Sequence, residues 1–204
     1  MNRLEEALSD DQTQFLKVVH EKNIMTAKFG RCSITYNAEG FFETERWRNS
    51  NGDISRGGDK PAFISFSKNG KILTETWFTN NKMNRGGDKP AQINRNKNNV
   101  IIREEWYSAG DPHRGGDKPA IKYYHEHKPG TVSLEIWVSF GIFGRGGDKP
   151  YCVTYHDNGV IKKEQWLDKA KRGACLDAFI SYDEQGNIQD SHLPEGQNNY
   201  VSAK

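Results

Sequence analysis

The chain has little of what marks a membrane, secreted or nucleic-acid-binding protein. No apolar run is long enough to cross a bilayer, and the opening stretch MNRLEEALSDDQTQF is acidic and lacks a secretory apolar core. A cytoplasmic location is therefore expected. Cysteine is scarce: Cys32, Cys152 and Cys175 are odd in number and without metal-ligand spacing, which reads as free thiols in a reducing compartment. Charge of one sign is missing too. The 29 basic and 27 acidic residues leave a formal net charge of +2, giving no concentrated basic field to neutralise phosphates, so no nucleic-acid partner is expected. Apolar residues make up only 34% of the chain, yet aromatics reach 11%, so a folded protein with thin cores is expected rather than a disordered one.

What the chain does have is repetition, the sequence signal to be sought first. RGGDKPA begins at Arg56, Arg85 and Arg114 and returns as RGGDKPY at Arg145, so the starts are 29, 29 and 31 residues apart. A second signal keeps the same beat: Glu45–Trp47, Glu75–Trp77, Glu104–Trp106, Glu135–Trp137 and Glu164–Trp166, each Glu-x-Trp. Between them lie turns ending in glycine: NAEG, SKNG, HDNG and DEQG. The periodicity divides the chain into residues 1–30, 31–192 and 193–204. The first is a capping helix and linker, with a capping box at Ser9 and Gln12 and an apolar stripe of Phe15, Val18 and Val19 reaching about Asn23. The middle segment is an array of about six units with a decayed terminal copy, RGACLDAFISYDEQGNI, and the last is a loose tail.

Each unit reads as a β-hairpin. AFISFSKNGKILTETWF has two short β-rich runs around Lys68-Asn69-Gly70, a three-residue loop with Gly70 in the left-handed position. That register sets Ser67 against Lys71, Phe66 against Ile72 and Ile64 against Thr74. Carried outward, it sets Trp77 against Pro61, Trp106 against Pro90 and Trp166 against Pro150. Trp137 meets Pro119 only if the longer HEHKPG loop is enlarged. The expectation is a Trp/Pro packing ladder, with Glu75, Glu104, Glu135 and Glu164 within reach of Arg56, Arg85, Arg114 and Arg145, and Trp47 beginning the series. Single hairpins bury too little to stand alone, so the expected fold is mostly β: an elongated antiparallel meander of tandem hairpins with a short N-terminal helix.

The hexad RGGDKP common to the four copies also invites chemical readings. A phosphate loop opens onto a helix with Lys and Ser/Thr, whereas here Pro and a strand follow. One Asp per unit supplies too few oxygens for calcium. His125-Glu126-His127 could chelate a metal, but it lies in the irregular loop, and His20, His113, His156 and His192 hold no shared repeat position. No GxSxG nucleophile motif occurs, and five equivalent Glu-x-Trp copies point to structure, since an enzyme needs one asymmetric site. No enzymatic activity and no cofactor are expected. Two glycines, an Asp and a terminal Pro make a shaped strand connection. Asp59, Lys60, Asp88, Lys89, Asp117, Lys118, Asp148 and Lys149 keep no firm duty in that connection and are the candidate partner contacts.

The unit NRGGDKPAFISFSKNGKILTETWF resembles the divergent MORN-type repeat found in bacterial antitoxin-like proteins and abundant in giant viruses and their mobile elements. It shares the Arg, the Asp, PA, NG and Glu-x-Trp. It departs by a Lys between Asp and Pro and by segments such as NNKMN in place of a second NG turn. Over residues 31 to 190 the resemblance implies a β-hairpin array that binds or scaffolds another protein. An antitoxin neutralising a toxin is an alternative, and a lipid-headgroup or sugar binder using Trp and Lys rows is another. A membrane surface is the less favoured target.

Overall fold

The computed structural model describes residues 17–21, 24–29, 31–37, 40–146, 148–167 and 178–193, the first two segments as backbone only. The chain divides into two compact units, Met1–Val100 and Ile101–Lys204. The first contains β1 (Lys17–Glu21), β2 (Ile24–Phe29), β3 (Cys32–Tyr36), β4 (Phe42–Trp47), β5 (Phe63–Phe66), β6 (Ile72–Thr76), β7 (Phe78–Thr79), β8 (Lys82–Met83) and β9 (Gln92–Arg95). The second contains β10 (Ile101–Glu105), β11 (Tyr107–Ser108), β12 (Asp111–Pro112), β13 (Ile121–Tyr124), β14 (Val132–Ile136), β15 (Val138–Ser139), β16 (Ile142–Phe143), β17 (Cys152–Tyr155), β18 (Ile161–Trp166), β19 (Ala178–Tyr182) and β20 (Ile188–His192).

In each unit the main strands pair antiparallel in chain order. They run β1-β2-β3-β4-β5-β6-β9 in the first and β10-β13-β14-β17-β18-β19-β20 in the second. The mostly-β antiparallel meander is therefore as expected. The N-terminal helix is not what the described part of its segment forms. Val18 and Val19, expected on a helical stripe, lie in β1 opposite Ala27 and Thr26. Ser9, Gln12 and Phe15 lie outside the described residues, as do Cys175 and the expected tail from Pro194. Among the described residues no helix is long and apolar enough to cross a membrane.

The hairpin turns follow the sequence reading. Ser67 donates its N–H to Lys71 O at 2.8 Å, Gly70 donates to Ser67 O at 2.9 Å, and Gly70 has φ 73°. The same bonds close 37–41, 156–160 and 183–187. A turn the glycine signal overlooks closes at 96–100, where Asn99 takes the left-handed position with φ 67°. Asparagine tolerates that conformation better than most residues because its short amide bonds locally. The HEHKPG loop is indeed enlarged: His125 N–H reaches Thr131 O at 2.9 Å, and Gly130 carries the positive φ.

The register departs from expectation one residue further out. Phe66 faces Ile72, but Ser65 faces Thr74 and Ile64 faces Glu75, so Leu73 is an extra residue on β6. The same shift recurs in the β3/β4, β13/β14, β17/β18 and β19/β20 hairpins. A bulge adds one residue to one strand and moves all later pairs by one. Continued past Phe63–Thr76, this register sets Trp77 across from Ala62 rather than Pro61. The expected Trp/Pro cross-strand ladder is corrected accordingly. Trp47, Ala62 and Ile34 share one buried cluster, and Trp166, Ala178 and Ile180 share another. Every hexad alanine is fully enclosed, with Ala62, Ala91 and Ala120 at 0% exposure, which explains why PA recurs.

Candidate functional site

Each Trp of the Glu-x-Trp series sits where the chain leaves the main sheet. Trp77 donates its N–H to Ala91 O at 2.8 Å and accepts at its own carbonyl from Asn84 N–H at 3.1 Å. Between those two bonds the chain makes a small second hairpin, β7/β8, turned by Asn80 and Asn81 with φ 48° and 65°. In the second unit β11/β12 and β15/β16 repeat it. Two successive positive φ values match the twist of the flanking strands.

The hexad follows. Gly58 and Asp59 have φ 73° and 54°, and Gly87–Asp88 and Gly116–Asp117 repeat the pair. This reversal turns the Asp carbonyl toward an indole: Trp77 Nε1 donates to Asp59 O at 3.0 Å, Trp137 to Asp117 O at 3.2 Å, and Trp166 to Asp148 O at 3.0 Å. The hexad Arg lies on the face of the preceding Trp. The guanidinium carbons of Arg56, Arg85, Arg114 and Arg145 are 3.8, 3.6, 3.8 and 3.9 Å from the ring centroids of Trp47, Trp77, Trp106 and Trp137. Arg56, Arg85 and Arg114 also donate Nη1 to the carbonyls of Pro61, Pro90 and Pro119 at 3.5, 3.2 and 3.5 Å. Proline thus contributes its oxygen, and Arg supplies the flat partner for the indole.

Charged residues pair between the first and second hexads and between the third and fourth. Asp59 accepts from Arg85 Nε at 2.7 Å and Nη2 at 3.2 Å, and from Lys89 Nζ at 2.7 Å. Asp117 accepts from Arg145 Nε at 2.6 Å and Nη2 at 3.1 Å, and from Lys149 Nζ at 2.6 Å. The hydrogen bonds from Arg85 and Lys89 hold the Asp59 carboxyl well below the usual carboxylate range, and Arg145 and Lys149 do the same to Asp117. Lys60, Asp88, Lys118 and Asp148 have partners as well. Asp59 with Lys89, and Asp117 with Lys149, which have no duty legible in the sequence, thus form ion pairs between hexads within each unit. Pairs of this kind fix register more than they add stability.

The glutamates are not paired uniformly with the hexad arginines. Arg56 reaches Glu45 at 3.3 Å. In three other copies the partner is a tyrosine. Tyr124, Tyr155 and Tyr182 donate their hydroxyls to Glu104, Glu135 and Glu164 at 2.5, 2.8 and 2.7 Å. Arg95 occupies the corresponding place and bonds Glu75 at 3.2 Å. In the first copy that place is Phe66, which has no donor. Glu45, only 6% exposed, instead takes Trp47 Nε1 at 2.6 Å. That indole is free to do so because no hexad precedes Trp47. The departure is the rule that buried polar groups find partners, applied to an incomplete repeat.

The small hairpins differ in what they expose. Thr79-Asn80-Asn81-Lys82-Met83 and Ser108-Ala109-Gly110-Asp111-Pro112 expose no large apolar side chain, whereas Ser139-Phe140-Gly141-Ile142-Phe143 presents Phe140, Ile142 and Phe143 at 57%, 73% and 52% exposure. Phe140 adopts φ 46°, a region bulky side chains avoid, and stacks on His113 with centroids 3.9 Å apart. Phe143 meets the ring of Tyr151, the residue that replaces Ala in the fourth hexad, edge-on at 6.1 Å. The tryptophans are 2–7% exposed, so their faces are turned away from solvent. No protein-family model matches the chain, and no curated protein matches it.

Proposed function

We propose that this is a non-enzymatic, MORN-like repeat protein that holds a partner protein, and that the tip of β15/β16 is its contact. The observation that carries the reading is the cluster of Phe140, Ile142 and Phe143 on a hairpin whose counterparts β7/β8 and β11/β12 expose no large apolar side chain. Contiguous exposed apolar side chains rimmed by polar ones mark contact surfaces, and aromatic anchors dominate binding energy. Asp59 with Lys89 and Asp117 with Lys149 are engaged within the array, which leaves those four a minor role in recognition. Burial of the indoles removes the stacking platform that a sugar-binding reading needs. A toxin-neutralising antitoxin is the narrower form of the same proposal, with the partner being a toxin.

The test compares the wild type with Ile142→Ser/Phe143→Ser, both checked for an unchanged β-sheet circular dichroism spectrum. Each is immobilised and challenged with lysate of the cells that express the protein, and separately with anionic liposomes. Retention of a defined protein by the wild type and its loss in the variant is expected. Equal retention by both, or retention of liposomes alone, overturns the reading. Rescue of growth against a co-expressed neighbouring toxic gene selects the antitoxin form.

A further inference from the structure

We propose that His125, His127 and Asp157 form a binding site for a borderline divalent transition metal, with Zn²⁺ the best-matched ion. The three residues each offer one ligand atom, and these atoms lie within 4.8 Å of one another. His125 Nδ1 is 3.2 Å from Asp157 Oδ1, and His127 Nε2 is 2.7 Å from Asp157 Oδ2. Two ligands each about 2.0–2.1 Å from a tetrahedral zinc sit about 3.3 Å apart. The two rings approach different oxygens of Asp157, so the carboxylate must turn to offer one oxygen to both and the His127–Asp157 pair must open slightly. Both of those side chains are more than half exposed and can make the adjustment.

The donor set decides the class of ion. Two imidazoles and a carboxylate suit Zn²⁺, Ni²⁺, Co²⁺ and Cu²⁺, whereas Ca²⁺ and Mg²⁺ take oxygen ligands. Three protein ligands leave a coordination position for water.

The loop that holds the histidines is built differently from its counterparts. It carries two residues more than the SKNG-type turn, and neither Ser67, Lys68 nor Asn69 could serve as an imidazole ligand. His125 N–H bonds Thr131 O and Lys128 N–H bonds His125 O, which fixes the ends of the loop. Lys128 then crosses to the neighbouring turn and donates Nζ to Asp157 O at 2.7 Å. That turn is itself closed by His156 N–H to Val160 O and Gly159 N–H to His156 O. The Asp157 carboxylate is thereby presented to both rings by a backbone fixed independently of them. The bound ion would join the β13/β14 loop to the β17/β18 turn, across the pairing of β14 with β17.

The experiment is isothermal titration of the full-length, tag-free protein with ZnCl₂, with Co²⁺ absorption as a second readout of nitrogen coordination. The wild type is expected to bind one equivalent, with d–d bands of a low-symmetry cobalt site. His127→Ala, an exposed position, and Asp157→Asn are each expected to weaken binding by about tenfold or more, while His113→Ala leaves it unchanged. The idea is overturned if the wild type takes up no Zn²⁺ at millimolar concentration. It is equally overturned if His127→Ala and Asp157→Asn bind as the wild type does, because the ion then resides elsewhere.

Discussion

The guanidinium of Arg85 lies flat on the indole of Trp77, 3.6 Å from the ring centroid, while its Nε and Nη2 grip the carboxylate of Asp59 from the preceding hexad. One side chain therefore joins three parts of the repeat: the strand end, the turn before it and the hexad after it. Lysine could supply the charge but not the flat, forked geometry. Arg85→Lys is expected to lower stability by about 1–2 kcal/mol, the size of a cation–π contact largely shielded from water. Urea unfolding followed by tryptophan fluorescence measures this, and a midpoint equal to the wild type would contradict the stacking role.

Acid should loosen the ladder. The folded-state carboxyls of Asp59 and Asp117 are held below the ordinary range by hydrogen bonds from Arg85 and Lys89, and from Arg145 and Lys149. Groups depressed in the folded state contribute stability above the unfolded value of about 3.9, and lose it as pH falls through the lower folded value. The urea midpoint should thus decline below about pH 4 more steeply in the wild type than in Asp59→Asn/Asp117→Asn. Parallel pH profiles for the two proteins would count against the ladder.

The tyrosine hydroxyls should matter more than their exposure suggests. Tyr182 donates to Glu164, which is 5% exposed, so Tyr182→Phe removes a donor from a buried carboxylate and is expected to cost about 1–3 kcal/mol. Burial first, and then the bonded glutamates, raise the hydroxyls of Tyr124, Tyr155 and Tyr182 above their ordinary value. A group raised in the folded state stabilises fully below its unfolded pKa of about 10, and that contribution disappears as pH climbs through the folded value. Thermal melts above about pH 10 should therefore fall less steeply in Tyr182→Phe than in the wild type.

Cys32 and Cys152 should be inert in the folded protein. Burial pushes the Cys32 thiol up to about 12, with the Glu45 charge adding to it and Arg56 opposing. The thiolate is the reactive form, so a Cys175→Ser variant should release no thionitrobenzoate from Ellman's reagent at neutral pH until urea exposes both thiols. Rapid native release would place either residue nearer solvent than its burial implies.

The hairpins were legible in the residues because they rest on local rules. Alternating β-formers around SKNG state a strand, a turn and a strand, and Gly70 takes the left-handed position that the turn demands. Asn99 escaped the glycine signal although it meets the same demand. Ser65 and Phe66 mark where local reasoning stopped. The bulge at Leu73 has no signature in composition, and it shifts Trp77 from Pro61 to Ala62. Tyr182 pairs with Ile188 across its own hairpin, but its hydroxyl's reach to Glu164 depends on the neighbouring hairpin.

Period, strand order and turn chemistry follow from the sequence alone, since each depends on a few consecutive residues and their φ preferences. The identity of each hexad partner, the Arg–Trp stacks, the Tyr–Glu bonds, the stacking of Phe140 on His113 and the meeting of His125 and His127 with Asp157 belong to tertiary structure. They join residues about 8 to 32 positions apart, and a single inserted residue in a strand changes which of them face each other.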